Sequence, residues 1–125
     1  MRKRPLDPSF NQKVLDKIKI STIRDKAWPL NTPFMLYNWS GKPYRSKQVD
    51  VAAVEVTASN PLVVTHNKDG SITFLFQNAF RLPRPLFECE GFESKEAMDD
   101  WFRKVIPKGR RGGKYLMQFK LLHPA

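Results

Sequence analysis

The stretch Lys19-Ile20-Ser21-Thr22-Ile23-Arg24-Asp25 gathers an amine, two hydroxyls and a guanidinium within six positions. Together these groups can do chemistry that none does alone. A lysine held near an arginine and partly out of water has its pKa lowered, which makes it a base near neutral pH. A threonine hydroxyl is a weak nucleophile until such a base takes its proton. An arginine offers a fixed fork of donors to a carbonyl or an anionic group. Strand alternation puts Thr22 and Arg24 on one face, and Lys19 stands one step before the strand, where a turn can swing its ammonium toward that face. On an exposed edge strand the same side chains would simply be solvated, so their spacing alone leaves both readings open.

The elements that must position them are legible as short periodic segments. Asp7 can cap a first helix with Pro8 at its first position, and Phe10, Val14, Leu15 and Ile18 fall on one face of a helix ending near Lys17. A strand over 20–24 follows, then a loop through Pro29 and Pro33, and an aromatic strand over 34–39 closed by the turn Ser40-Gly41-Lys42-Pro43. Residues 48–57 alternate as a strand, and 62–65 with 72–76 read as a hairpin around Asn67-Lys68-Asp69-Gly70. Ser94 caps a second helix carrying Met98, Trp101, Phe102 and Val105 at i, i+3, i+4, i+7, with Asp99 and Asp100 on its wet side, and Pro107 and Gly109 stop it. A basic, glycine-rich loop over 108–114, without Walker spacing, leads to a last strand over 115–122. Short strands with about two helices at separated points predict an α+β fold: a small, strongly curved sheet or mixed β-barrel with the helices laid against it.

Composition bounds what such a fold can serve. With 125 residues, one domain spanning 1–125 is expected, its core at about 10–122 behind a basic N-terminal tail over 1–6. Nine Phe and three Trp can fill a compact core, no apolar run approaches the ~20 residues of a membrane span, and the start has no apolar stretch behind its basic residues. A cytoplasmic protein, monomer or weak dimer, without membrane association, is the expectation. One cysteine, Cys89, and two histidines, His66 and His123, give no metal-ligand set, so neither metal nor cofactor is expected, and a Cys89–His66 pair is the weakest of the nucleophile candidates. The 22 Lys and Arg against 12 Asp and Glu give +10, a field that favours polyanions. Lys108, Arg110, Arg111 and Lys114 are the nucleic-acid-binding candidates, although a charge run also serves solubility.

The order Phe10 … Ile18-Lys19-Ile20-Ser21-Thr22-Ile23-Arg24-Asp25 resembles the signature Gly-x-Lys-x-x-Thr-x-Arg of the ASCH family, a PUA-like barrel, with Lys19, Thr22 and Arg24 in the motif and Lys17 where the motif has glycine. The likeness continues through "VAAVEVTAS" at 51–59, "ECEGFESKEAMDDWFRKVI" at 88–106 and the terminal "KYLMQFKLL", about residues 10 to 122. In family members that hydrolyse N(4)-acetylcytidine the catalytic set is the motif lysine, the motif threonine and a glutamate shortly before the second helix. The resemblance therefore implies Lys19, Thr22 and Glu90 as catalytic residues and Arg24 as substrate-binding, with Glu88 and Glu93 as neighbours of Glu90 that could take its part. It implies a modified nucleoside or RNA as partner, either hydrolysed or, in non-catalytic relatives, simply bound. In the binding alternative Tyr37, Trp39 or Tyr44 would stack on an unpaired base.

Overall fold

A computed structural model describes residues 1–122. Its elements are β1 (Arg2–Pro5), a single 3-10 turn (Pro8–Phe10), α1 (Asn11–Leu15), β2 (Ser21–Arg24), β3 (Pro33–Trp39), β4 (Gln48–His66), β5 (Ile72–Phe76), α2 (Leu86–Cys89), α3 (Lys95–Val105) and β6 (Arg111–Leu121). The fold is α+β, a six-stranded sheet with short helices on it, in the order β1-β3-β4-β6-β2, with β5 added beside β4. All ladders are antiparallel except β1 against β3. The expected closed barrel is not formed: β1 and β2 end the strand order with no ladder between them. Both are four residues long, and Arg24 Nη2 crosses the seam to donate to the Pro5 carbonyl at 2.8 Å.

The spine of the sheet is β4, which runs through both segments read as separate strands. Ala52, Val54 and Val56 in its first half and Leu62, Val64 and His66 in its second are buried, so the same face turns inward in both halves. An irregularity against β6 between Val56 and Ala58 leaves Thr57 without a partner and bends the strand, as a bulge does. The first half packs Phe34, Leu36, Val54, Val56 and Met117 with Val14 and Trp28. The second half packs Leu62, Val64, Ile72 and Leu116 with Met98, Phe102 and Ile106 of the α3 segment. Phe92 packs on both clusters, and burying each such side chain contributes about 1.5–3 kcal/mol.

Several expectations are corrected. The segment read as a basic tail is strand β1, with Arg4 opposite Leu36 of β3. The supposed loop 108–114 is strand from Arg111, because Gly112 and Gly113 pair with Val64 and Val63 and the long ladder outweighs their weak β-propensity. The first helix stops at Leu15, leaving Leu15 and Ile18 at 44% and 42% exposure while Phe10 and Val14 are buried. Its end is a Schellman turn: Lys17 N–H donates to Val14 O, Ile18 N–H donates to Lys13 O, and Lys17 takes φ 60°. Position 17 thus adopts the conformation that glycine favours, although a lysine stands there. On α3, Ser94 Oγ accepts from Ala97 N–H at 3.0 Å as expected, but Asp99 is buried rather than on the wet side. Asp100 is exposed and paired with Arg103.

Candidate functional site

Turn and strand together place Lys19. Arg84 donates to Ile18 O at 2.8 Å, and Ile20 N–H donates to Cys89 O at 2.9 Å, tying the chain before β2 to α2. The Lys19 side chain is turned inward and is 5% exposed. Its Nζ donates to Ser21 O and to Glu90 O, both at 2.7 Å, and lies 4.7 Å from the centre of the Phe10 ring. Burial lowers its pKa below the usual 10.5; Glu90 opposes this, and Arg24 and Lys13 add to it.

Strand alternation carries Thr22 and Arg24 to one face, as read from the sequence, and Arg24 Nε donates to Thr22 Oγ1 at 2.9 Å. Arg24 is held over the Trp28 ring at 5.1 Å. Burial and the charge of Arg4 lower its pKa against the pull of Glu90, but a guanidinium starts high enough to stay a cation. Glu90, 3% exposed, accepts from the Ser21 hydroxyl. Its placement depends on Gly91, whose φ of 90° turns the chain and whose missing side chain leaves room for Lys19: a Cβ there would lie 3.1 Å from both Lys19 Cβ and Phe10 Cδ1.

These groups meet in a cavity of about 390 Å³ whose walls include Pro5, Lys19, Thr22, Arg24 and Glu90. Phe10, Phe92 and Trp101 also line it and lean on one another with ring centres 5.2 to 5.8 Å apart, a wall suited to a planar ligand. The cavity lies at the unpaired seam between β1 and β2, where no backbone ladder fills the space. Of the three glutamates in the segment, only Glu90 reaches it. Glu93 is exposed and held by Lys13, whose hydrogen bond and charge keep its carboxyl below the usual range, and Glu88 is half-buried outside it.

Other sequence candidates lie elsewhere. Lys108, Arg110 and Arg111 are exposed at the start of β6, and Lys114 is mostly buried against Asp25, which spends its charge. Thr22 pairs with Met117, so Arg111 stands six residues along β6 from the site, up to about 20 Å of strand. Cys89 is buried with its thiol pushed up by desolvation, and His66 Nδ1 is engaged with Ile106 O at 2.7 Å, so the two do not form a nucleophilic pair. Among the described residues no three of His, Cys, Asp and Glu gather as a metal site, and no helix is long and apolar enough to cross a membrane; His123 lies outside the described residues. Sequence reasoning missed Ser21, Gly91 and the aromatic wall. The "EGF" at 90–92 was the one available signal for the last two.

Fold and site together define an open α+β sheet protein with a buried lysine, threonine and glutamate around one cavity. Compared with family models, curated proteins and solved structures, the chain matches none.

Proposed function

We propose that the protein is an amidohydrolase acting on an acetylated nucleobase such as N(4)-acetylcytidine, and that its sheet is a PUA-like barrel left open at the seam that holds the cavity. The observation that carries this reading is the convergence of Lys19, Thr22 and Glu90, each at most 5% exposed, on that cavity. Hydrogen bonds offset the cost of burying each of the three, and gathering such groups at one cavity is the arrangement that reaction sites use.

A neutral Lys19 amine has two N–H groups for the two carbonyls it meets and keeps its lone pair free. It takes the Thr22 proton as Oγ1 bonds to the acetyl carbon. Arg24 Nε, which donates to Thr22 Oγ1, steadies that oxygen as its proton leaves, and the charge passes to the acetyl oxygen as the tetrahedral intermediate forms. Collapse breaks the carbon–nitrogen bond, and Glu90 passes the proton gained by Lys19 to the departing exocyclic amine. Water then cleaves the threonine ester, releasing acetate and restoring the hydroxyl. Chromatographic release of cytidine from N(4)-acetylcytidine tests this. Lys19→Ala should lower the rate by about 10²–10⁴-fold, with Thr22→Ala and Glu90→Ala also impaired. Full activity in the Lys19 or Thr22 variant would refute the assignment.

A second reading, an RNA-binding module without chemistry, is favoured by exposed Lys108, Arg110 and Arg111 and by Tyr44, 89% exposed with its ring centre 5.3 Å from that of Trp39. It requires affinity for single-stranded RNA to fall with salt by a log–log slope of about −0.7 per neutralised phosphate. A flat salt response would exclude it.

A further inference from the structure

Arg4 and Arg24 converge on one ring beside the cavity. The Arg24 guanidinium lies 5.1 Å from the Trp28 centre, and the Arg4 guanidinium lies 5.8 Å from it and 5.1 Å from Phe34. Arg4 precedes Pro5, which lines the cavity and accepts from Arg24 Nη2. The two charges act on one another, since Arg4 lowers the pKa of Arg24, and such a pair repels unless an anion or water screens it. Yet neither arginine takes part in an ion pair among the described residues. The carboxylates at the cavity are engaged elsewhere: Glu90 accepts from Ser21, and Asp7 accepts from Ser9. Donors remain on both guanidiniums. Arg4 spends only Nη1, on Lys3 O, and Arg24 spends Nε and Nη2, so Arg4 Nε and Nη2 and Arg24 Nη1 have no protein acceptor among the described residues.

We propose that Arg4 and Arg24 form a phosphate-binding pair at the cavity, so that the ligand is a nucleotide, free or within RNA, rather than an uncharged nucleoside. Two guanidinium forks fixed on an aromatic surface match the oxygens of a phosphate and lose little side-chain freedom when it binds. The pair also explains a feature that the hydrolase chemistry leaves unused, since Arg4 has no part in it. The inference rests on the nucleobase reading for what fills the cavity, but not for the phosphate itself.

The test is calorimetric binding of cytidine, cytidine 5′-monophosphate, ribose and ribose 5-phosphate to the wild type, Arg4→Gln, Arg4→Lys and Lys104→Gln. Lys104 is exposed on α3, so its variant removes the same charge away from the cavity. Each phosphorylated probe should bind the wild type about tenfold or more tightly than its uncharged partner. Arg4→Gln should erase most of that difference, Arg4→Lys should restore part of it, and Lys104→Gln should keep it. Equal affinities for the members of each pair in the wild type, or equal losses in Arg4→Gln and Lys104→Gln, would overturn the proposal. Arg4-dependent binding of ribose 5-phosphate without hydrolysis of N(4)-acetylcytidine 5′-monophosphate would leave the phosphate pair standing and remove the nucleobase reading. Tetracytidylate binding far more tightly than the monophosphate would assign the phosphate to RNA, and equal binding would assign it to a free nucleotide.

Discussion

Gly91 and Gly70 form a matched pair for testing how the site is built. Both take left-handed backbone, φ 90° and 91°, but a Cβ at Gly70 would meet nothing within 4 Å, whereas one at Gly91 would press on Lys19 and Phe10 at 3.1 Å. Alanine at either position suffers the backbone strain, roughly 1–2 kcal/mol. At Gly91 crowding adds about 1–3 kcal/mol, because the methyl must displace a buried lysine stem and a packed ring. For 125 residues, an unfolding entropy of about 2.1 cal/mol/K per residue makes each kcal/mol worth about 4 °C. Gly70→Ala should therefore lower Tm by about 4–8 °C and Gly91→Ala by about 8–20 °C in thermal melts followed by circular dichroism. Below both transitions, Gly91→Ala should also lose hydrolytic activity through displacement of Lys19, and Gly70→Ala should not. Equal drops in Tm, with activity kept in both, would show that Gly91 serves only the turn and that the cradle around Lys19 is not needed.

Lys17→Gly should stabilise the protein by about 0.5–1 kcal/mol, read as a Tm rise of roughly 2–4 °C, because relief of left-handed strain exceeds the added freedom of the unfolded chain. Ser94→Ala removes the cap of α3 and should cost about 1 kcal/mol in urea unfolding. Lys19 makes stability depend on pH: its native pKa is below 10.5, so between the two values the unfolded chain holds the extra proton, and stability rises with pH until it levels above 10.5. Cys89 acts in the opposite sense above 9.0, where the unfolded thiol ionises before the buried one, so stability falls. Urea unfolding of wild type and Lys19→Met at several pH values approaching 10.5 should give the steeper rise to the wild type, and identical slopes would contradict a buried amine there.

What the sequence made legible was what depends on neighbours along the chain. The Ser94 cap, the hairpin joining β4 to β5 and the shared face of Thr22 and Arg24 each follow from local periodicity or turn chemistry. What it hid depends on partners far away. "RKRP" has no strand signature of its own, and β1 exists because β3 offers it a parallel edge some thirty residues on. Gly112 and Gly113 belong to a strand because Val64 and Val63 stand opposite them. Asp99 looked wet by helical phase, but it is buried, with Oδ2 held by Lys95 at 2.9 Å and Oδ1 without a partner among the described residues.

The site divides along the same line. Thr22 and Arg24 are two apart on a strand, so their shared face was readable; the inward turn of Lys19 was left open by spacing alone, and the choice among Glu88, Glu90 and Glu93 turns on which carboxylate the α2 segment carries to the seam. Ser21 shows why. Alternation points it away from Thr22, yet β2 is an edge strand, and Glu90 rounds that edge to accept from Ser21 while lining the cavity with Thr22. An edge strand is commonly a liability that proteins cover. Here the covering segment supplies Glu90, the glycine that makes room for Lys19, and Phe92 of the aromatic wall, so the unclosed sheet and the site are one feature of the fold.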